Sequence, residues 1–165
     1  MNQTRLLFSM MERHGKRKID MAHALGWDSE KLIRWSQTSQ RPYQPWIDEI
    51  DLCWQHLGYL LVPVKIPGMS ILMSTGNNVP RANRRPYNCH RIVRSLFEEL
   101  DIRRISREDF GNLVGIHDNT MNRMAVGESR GKTDLIECCF NVFGMSLRPV
   151  PLDAMNAMEA VHAAA

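Results

Sequence analysis

Apolar positions near the start of the chain fall on a helical stripe. Leu6, Leu7, Met10 and Met11 stand at i, i+1, i+4 and i+5, which puts them on one side of an α-helix. A polar and basic stretch follows, and a second, short helix is predicted over about Lys18 to Leu25. Gly26 suits the left-handed position that ends a helix, because it has no Cβ to clash there. Asp28 or Ser29 is placed to cap a third helix running to about Gln37. A fourth is expected from about Pro45, a residue favoured in a first helical turn, to Leu57, with Gly58 behind it. The run Leu60 to Ile66 then reads as extended.

The same pattern returns further along, and internal repeats change the whole interpretation of a chain. Gly26 falls on Gly115 at a shift of 89 residues. At that shift Leu7 meets Leu96, Met11 meets Leu100, Met21 meets Phe110, Ala22 meets Gly111, Leu32 meets Met121, Trp35 meets Met124, and Arg34 meets Arg123. After a shorter loop in the second copy the shift becomes 86, and Cys53 meets Cys139, Trp54 meets Phe140, Gly58 meets Gly144, and Pro63-Val64 meets Pro149-Val150. The second copy therefore predicts helices over about 90–101, 107–114, 118–125 and 132–143, with an extended segment over 146–152.

Composition sets limits. The chain has 165 residues, 44% of them hydrophobic and 24% charged, as expected of an ordered globular protein. Its N-terminal apolar run is too short for a signal peptide or a membrane span, so a cytoplasmic protein is expected. The net charge of +3 is spread unevenly: residues 1–66 carry +2, 67–91 carry +4 and 92–165 carry −3. The first copy and the segment after it match phosphate better than the second copy does. Cys53, Cys89, Cys138 and Cys139 form no C-x-x-C pair and are expected to be buried structural thiols, without a metal.

The stretches Asp20 to Trp35 and Ser106 to Met124 resemble the helix-turn-helix core of the phage-repressor or Xre-type family: a helix with a small residue at its middle (Ala22, Gly111), a glycine turn, and a second helix with an apolar anchor. The Leu57 to Pro63 run is similar to the tail of antitoxin-like members, in which a strand follows the last helix. Two departures stand out. The Glu and Gly often found after the third-helix anchor are replaced by Ser36-Gln37 in copy one and Ala125-Val126-Gly127 in copy two, and copy two is net acidic. One copy is therefore a candidate for a protein-contact module.

The resemblance implies an all-α protein of two tandem helix-turn-helix domains, each followed by a short strand: a first domain over 1–66, a basic linker over 67–91, a second domain over 92–152 and a tail helix over 153–165. In such proteins the second helix of the pair enters the major groove. Ser29, Glu30 and Arg34 in copy one, and Asp118, Asn119 and Arg123 in copy two, are then the candidates to read bases, with the alternative of a solvated helix face. Arginine pairs with guanine, asparagine with adenine, and a carboxylate accepts from cytosine. Lys16, Arg17, Lys18 and Lys31 in copy one, with Arg107 and Asn122 in copy two, are candidate backbone contacts, and Arg13 stands beside them. Arg81, Arg84 and Arg85 of the linker are candidates for the minor groove.

The linker also holds the turn signals Pro67-Gly68 and Gly76-Asn77-Asn78. Leu60–Ile66 has two possible partners: Met69–Ser74, as a hairpin, or the extended tail of the second copy, within the chain or across a dimer. In the C-terminal tail, Leu152, Met155, Met158 and Val161 make a thin helical stripe. The six histidines fall in no metal-hydrolase motif, and no phosphate-binding glycine loop or nucleophile elbow is present. The expectation is a sequence-specific DNA-binding transcriptional regulator, not an enzyme, without cofactor, binding double-stranded DNA and acting as a homodimer. The alternative is a helix-turn-helix-like protein module that acts as an antiactivator or antitoxin-type partner.

Overall fold

The structure, a computed structural model, describes residues 2–37, 43–69 and 87–155. Over these the chain is mostly helical, with one two-stranded antiparallel sheet. The first copy forms helices α1 (Gln3–Arg13), α2 (Lys18–Ala24), α3 (Glu30–Ser36) and α4 (Ile47–His56), then strand β1 (Tyr59–Lys65). The second copy forms α5 (Arg91–Ile102), α6 (Arg107–Val114), α7 (Asp118–Ala125) and α8 (Thr133–Val142), then β2 (Met145–Pro151). Every element of the second copy lies where the two shifts place it, and α4 and β1 coincide with α8 and β2 residue for residue.

The local causes are those of the sequence pattern. Asn2 caps α1 by accepting from the Arg5 amide. After α2 the chain turns through Gly26 at φ +68°, with the Trp27 amide donating to Ala22 O and the Gly26 amide to His23 O. That pair of bonds satisfies the last carbonyls of the helix. Asp28, not Ser29, caps α3: its Oδ1 accepts from the Glu30 amide at 2.8 Å, and Ser29 makes no capping bond. Arg104 sits at φ +57° where the first copy has Gly15 at +62°, so the same left-handed turn is kept even with a side chain present.

The contacts divide the chain into two compact units. Unit 1 is Met1–Val62 with Leu147–Ala165, and unit 2 is Pro63–Ser146. In unit 1, Leu7, Met11, Met21, Leu32, Ile50 and Trp54 are buried together with Leu61 and Leu147. Two polar groups inside this core have partners. The Gln3 Nε2 donates to Leu147 O at 2.8 Å, and the buried Asp51 accepts from the Leu61 amide and from Gln55 Nε2. In unit 2, Phe97, Phe110, Phe140 and Phe143 fill the centre, with Phe110 stacked on Phe143 at 5.0 Å.

The two extended tails pair with each other. The Leu152 amide donates to Gly58 O, and the Ile66 amide donates to Gly144 O, at 2.9 and 2.8 Å. Under the shift of 86 these are the same bond made twice. The register also explains the prolines. Counting inward from those pairs, Pro63, Pro149 and Pro151 all occupy positions whose nitrogens face away from the partner strand, so their missing N–H costs no ladder bond. The Leu61 amide and the Leu147 carbonyl face away too, which leaves them for Asp51 and Gln3. Pro67-Gly68 forms the expected turn, with Gly68 at φ +77° and the Met69 amide donating to Ile66 O. Residues 70–74 of the expected hairpin partner, Met158 and Val161 of the tail stripe, and residues 156–165 of the expected tail helix lie outside the described residues; residues 152–155 are helical.

Candidate functional site

The candidate residues gather on the α2–α3 pair of unit 1 and the α6–α7 pair of unit 2. In unit 1, Leu32 and Trp35 anchor α3 inward beside Met21 and Ala22 of α2. The helical period then turns Glu30, Ile33 and Arg34 outward, and leaves Ser29 half-buried. In unit 2, Met121 and Met124 anchor α7, and Asp118, Asn119 and Arg123 face solvent. The two helices of this pair meet at Gly111. A Cβ added there would lie 2.5 Å from the Ile116 carbonyl oxygen, closer than any real contact.

The candidate cations of unit 1, Arg34 for bases and the others for phosphate, have different fates. Arg13, Lys16 and Arg34 are exposed and have no side-chain partner among the described residues. Arg17 makes two bonds to the Asp20 carboxylate, at 2.7 and 2.8 Å. The hydrogen bond from Arg17 holds the Asp20 carboxyl below its ordinary range, and the same bond raises the Arg17 guanidinium. Lys18 lies over the Phe8 ring at 4.5 Å. Lys31 is turned into unit 1: its Nζ sits 3.8 Å above the Trp27 ring and 3.1 Å from Glu49 Oε1. Glu49 also accepts from the Trp46 amide through Oε2, which fixes it at the start of α4.

In unit 2 the predicted contacts bind one another. Arg107 Nη1 donates to Asn122 Oδ1 at 2.9 Å, and Asn122 Nδ2 donates to Asp118 Oδ2 at 2.9 Å. The Arg107 guanidinium lies 5.2 Å from the Phe97 ring centre and 5.4 Å from that of Tyr87. Arg123 faces Glu128 at 3.8 Å. Asn119 keeps its side chain outward while its amide donates to His117 Nδ1. Sequence reading found these residues but not the ties between them. The Arg123–Glu128 pair spans five residues across the end of α7, which is not a helical pairing distance. The Lys31–Glu49 and Arg107–Tyr87 pairs join different elements and left no local signal. Arg81, Arg84 and Arg85 lie outside the described residues.

The cysteines are unpaired thiols. Burial pushes Cys53 and Cys139 up to about 12, and pushes Cys89 upward as well. Against the expectation of four buried thiols, Cys89 is only half-buried and Cys138 is exposed, the latter because its neighbour Cys139 already takes the inward position on α8. Among the described residues no cluster of His, Cys, Asp and Glu is arranged to hold a metal, and no helix is long and apolar enough to cross a membrane. Comparison with models of protein families, with curated proteins and with solved structures gave no match.

Proposed function

We propose that the chain is a sequence-specific double-stranded DNA-binding regulator that uses two helix-turn-helix units in tandem. The observation that carries this is the outward placement of Arg34 on α3, behind a glycine-turned two-helix pair that buries Met21, Ala22, Leu32 and Trp35. Arginine on the exposed face of such a second helix has the donor geometry for guanine in the major groove. Arg13 and Lys16, exposed in the same unit and without a side-chain partner among the described residues, supply charge for the flanking phosphates.

A protein-contact role for the second copy is favoured by a specific observation. Ile102 is 74% exposed and Leu113 57% exposed at the ends of α5 and α6, and on α7 Asn122 is tied to Arg107 and Asp118, and Arg123 to Glu128. The test is fluorescence anisotropy of the full chain on a mixed-sequence DNA duplex, between about 50 and about 200 mM salt. Contact with several phosphates predicts a steep fall in affinity with salt. Binding that is absent, or indifferent to salt, overturns the DNA reading and leaves the protein-contact one.

A further inference from the structure

We infer that the two copies have divided the work: unit 1 makes the phosphate contacts of the complex proposed above, and unit 2 makes none at the equivalent positions. The inference rests on duplex binding by the chain and on differences between the copies at equivalent positions.

At the shift of 89, three of the four cations around the turn after α1 are replaced by uncharged residues, while the turn after α5 carries Arg103, paired with Glu99 at 3.0 Å, where the first copy has His14, and Arg104 where it has Gly15. Arg13 is replaced by Ile102, Lys16 by Ile105 and Arg17 by Ser106. Ile102 is largely exposed and Ile105 is 5% exposed, so the residues that would meet phosphate in one copy are uncharged in the other. Lys18 is replaced by Arg107, which keeps the charge but not its availability. Arg107 has a buried Nε, an Asn122 partner and two aromatic rings under its guanidinium. Drawing it out to a phosphate would break all of these contacts. Arg34 is replaced by Arg123, which stands beside Glu128. A cation already balanced by a carboxylate releases no net counterion charge unless that pair breaks.

Two further features point the same way. Exposed Glu108 follows Arg107 where the first copy has Ile19, which adds a negative charge to the edge that would face the duplex. Arg104 is exposed, but it occupies the left-handed position of Gly15 rather than that of a basic residue, and the carboxylates of Glu108 and Asp109 follow it at the start of α6.

The experiment uses the full chain, a fluorescent mixed-sequence duplex and a salt series, with four exposed residues changed singly. Arg13→Ala and Lys16→Ala are each expected to weaken binding and to reduce the slope of log affinity against log salt by about 0.9, the value of one lost phosphate contact. Arg104→Ala and Arg123→Ala are expected to leave the slope unchanged. Thermal melting by circular dichroism checks that each variant is folded. A slope lowered by Arg104→Ala or Arg123→Ala as much as by Arg13→Ala overturns the division of work while keeping DNA binding. A wild-type chain with no salt-dependent binding removes both.

Discussion

Arg107 donates from Nη1 to Oδ1 of Asn122 across 2.9 Å, and this bond ties the first residue of α6 to the middle of α7. The bond is charge-assisted, and the guanidinium also rests on Phe97 and Tyr87. Arg107→Ala is therefore expected to cost about 2–3 kcal/mol of stability, measured by urea unfolding. Asn122→Ala is expected to cost less, because Arg107 keeps its rings. Equal stability of Arg107→Ala and wild type would mean that the tie holds nothing together.

The turn that joins α6 to α7 predicts a second large effect. Gly111→Ala places a Cβ against the rigid Ile116 carbonyl, so backbone must move, and a loss of about 1–3 kcal/mol is expected. Gly115→Ala meets no neighbour but takes φ +72°, which costs an L-residue about 1–2 kcal/mol. Calorimetry on the two variants compares a steric cause with a conformational one.

Much of this fold is written in short-range pattern, and that is why it was legible. The stripes of Leu7 and Met11, or of Met121 and Met124, place helices without knowledge of neighbours, and Gly26 and Gly58 mark their ends. The partner of β1 was not decidable from pattern. A hairpin and a pairing of the two tails both fit an apolar run with Pro63 in it, and the choice depends on residues far apart in the chain, from Ile66 and Gly144 to Gly58 and Leu152. The site divides in the same way. Which residues of α3 and α7 face outward follows from helical period. Which cations stay available depends on Glu49, Tyr87 and Phe97, brought near by packing. Exposure of Cys138 was readable: adjacent residues on a helix point in different directions, so Cys138 and Cys139 do not share one core.

Unit 1 draws on both ends of the chain, since it joins Met1–Val62 to the segment from Leu147. Leu147 is fully buried, and its carbonyl accepts from Gln3. Leu147→Ala is expected to cost about 2–5 kcal/mol, and Gln3→Ala, which leaves that carbonyl unpaired, about 1–3 kcal/mol. Protease cleavage engineered between Met69 and Tyr87 is expected to leave the two pieces together on size exclusion. Their separation without denaturant would show that Leu147 contributes little to unit 1.

The thiols predict both a reactivity order and a pH dependence. Cys138 is expected to react first with a thiol reagent, and Cys53 and Cys139 only on unfolding. Burial raises the last two from 9.0 to about 12, so the unfolded chain loses their protons first as pH rises. Their contribution to stability is complete below about pH 9 and declines between there and about pH 12. Cys53→Ser, which titrates no thiol at that position, is expected to flatten part of that decline in urea midpoints measured across the range.

Sequence-specific recognition is tested most directly by selection from a pool of randomised DNA duplexes, using the full wild-type chain and Arg34→Ala in parallel. The account predicts that the wild type enriches a defined site containing a guanine, and that Arg34→Ala loses preference at that base while keeping weak general affinity. No enrichment by the wild type, or the same enriched site with Arg34 removed, contradicts it.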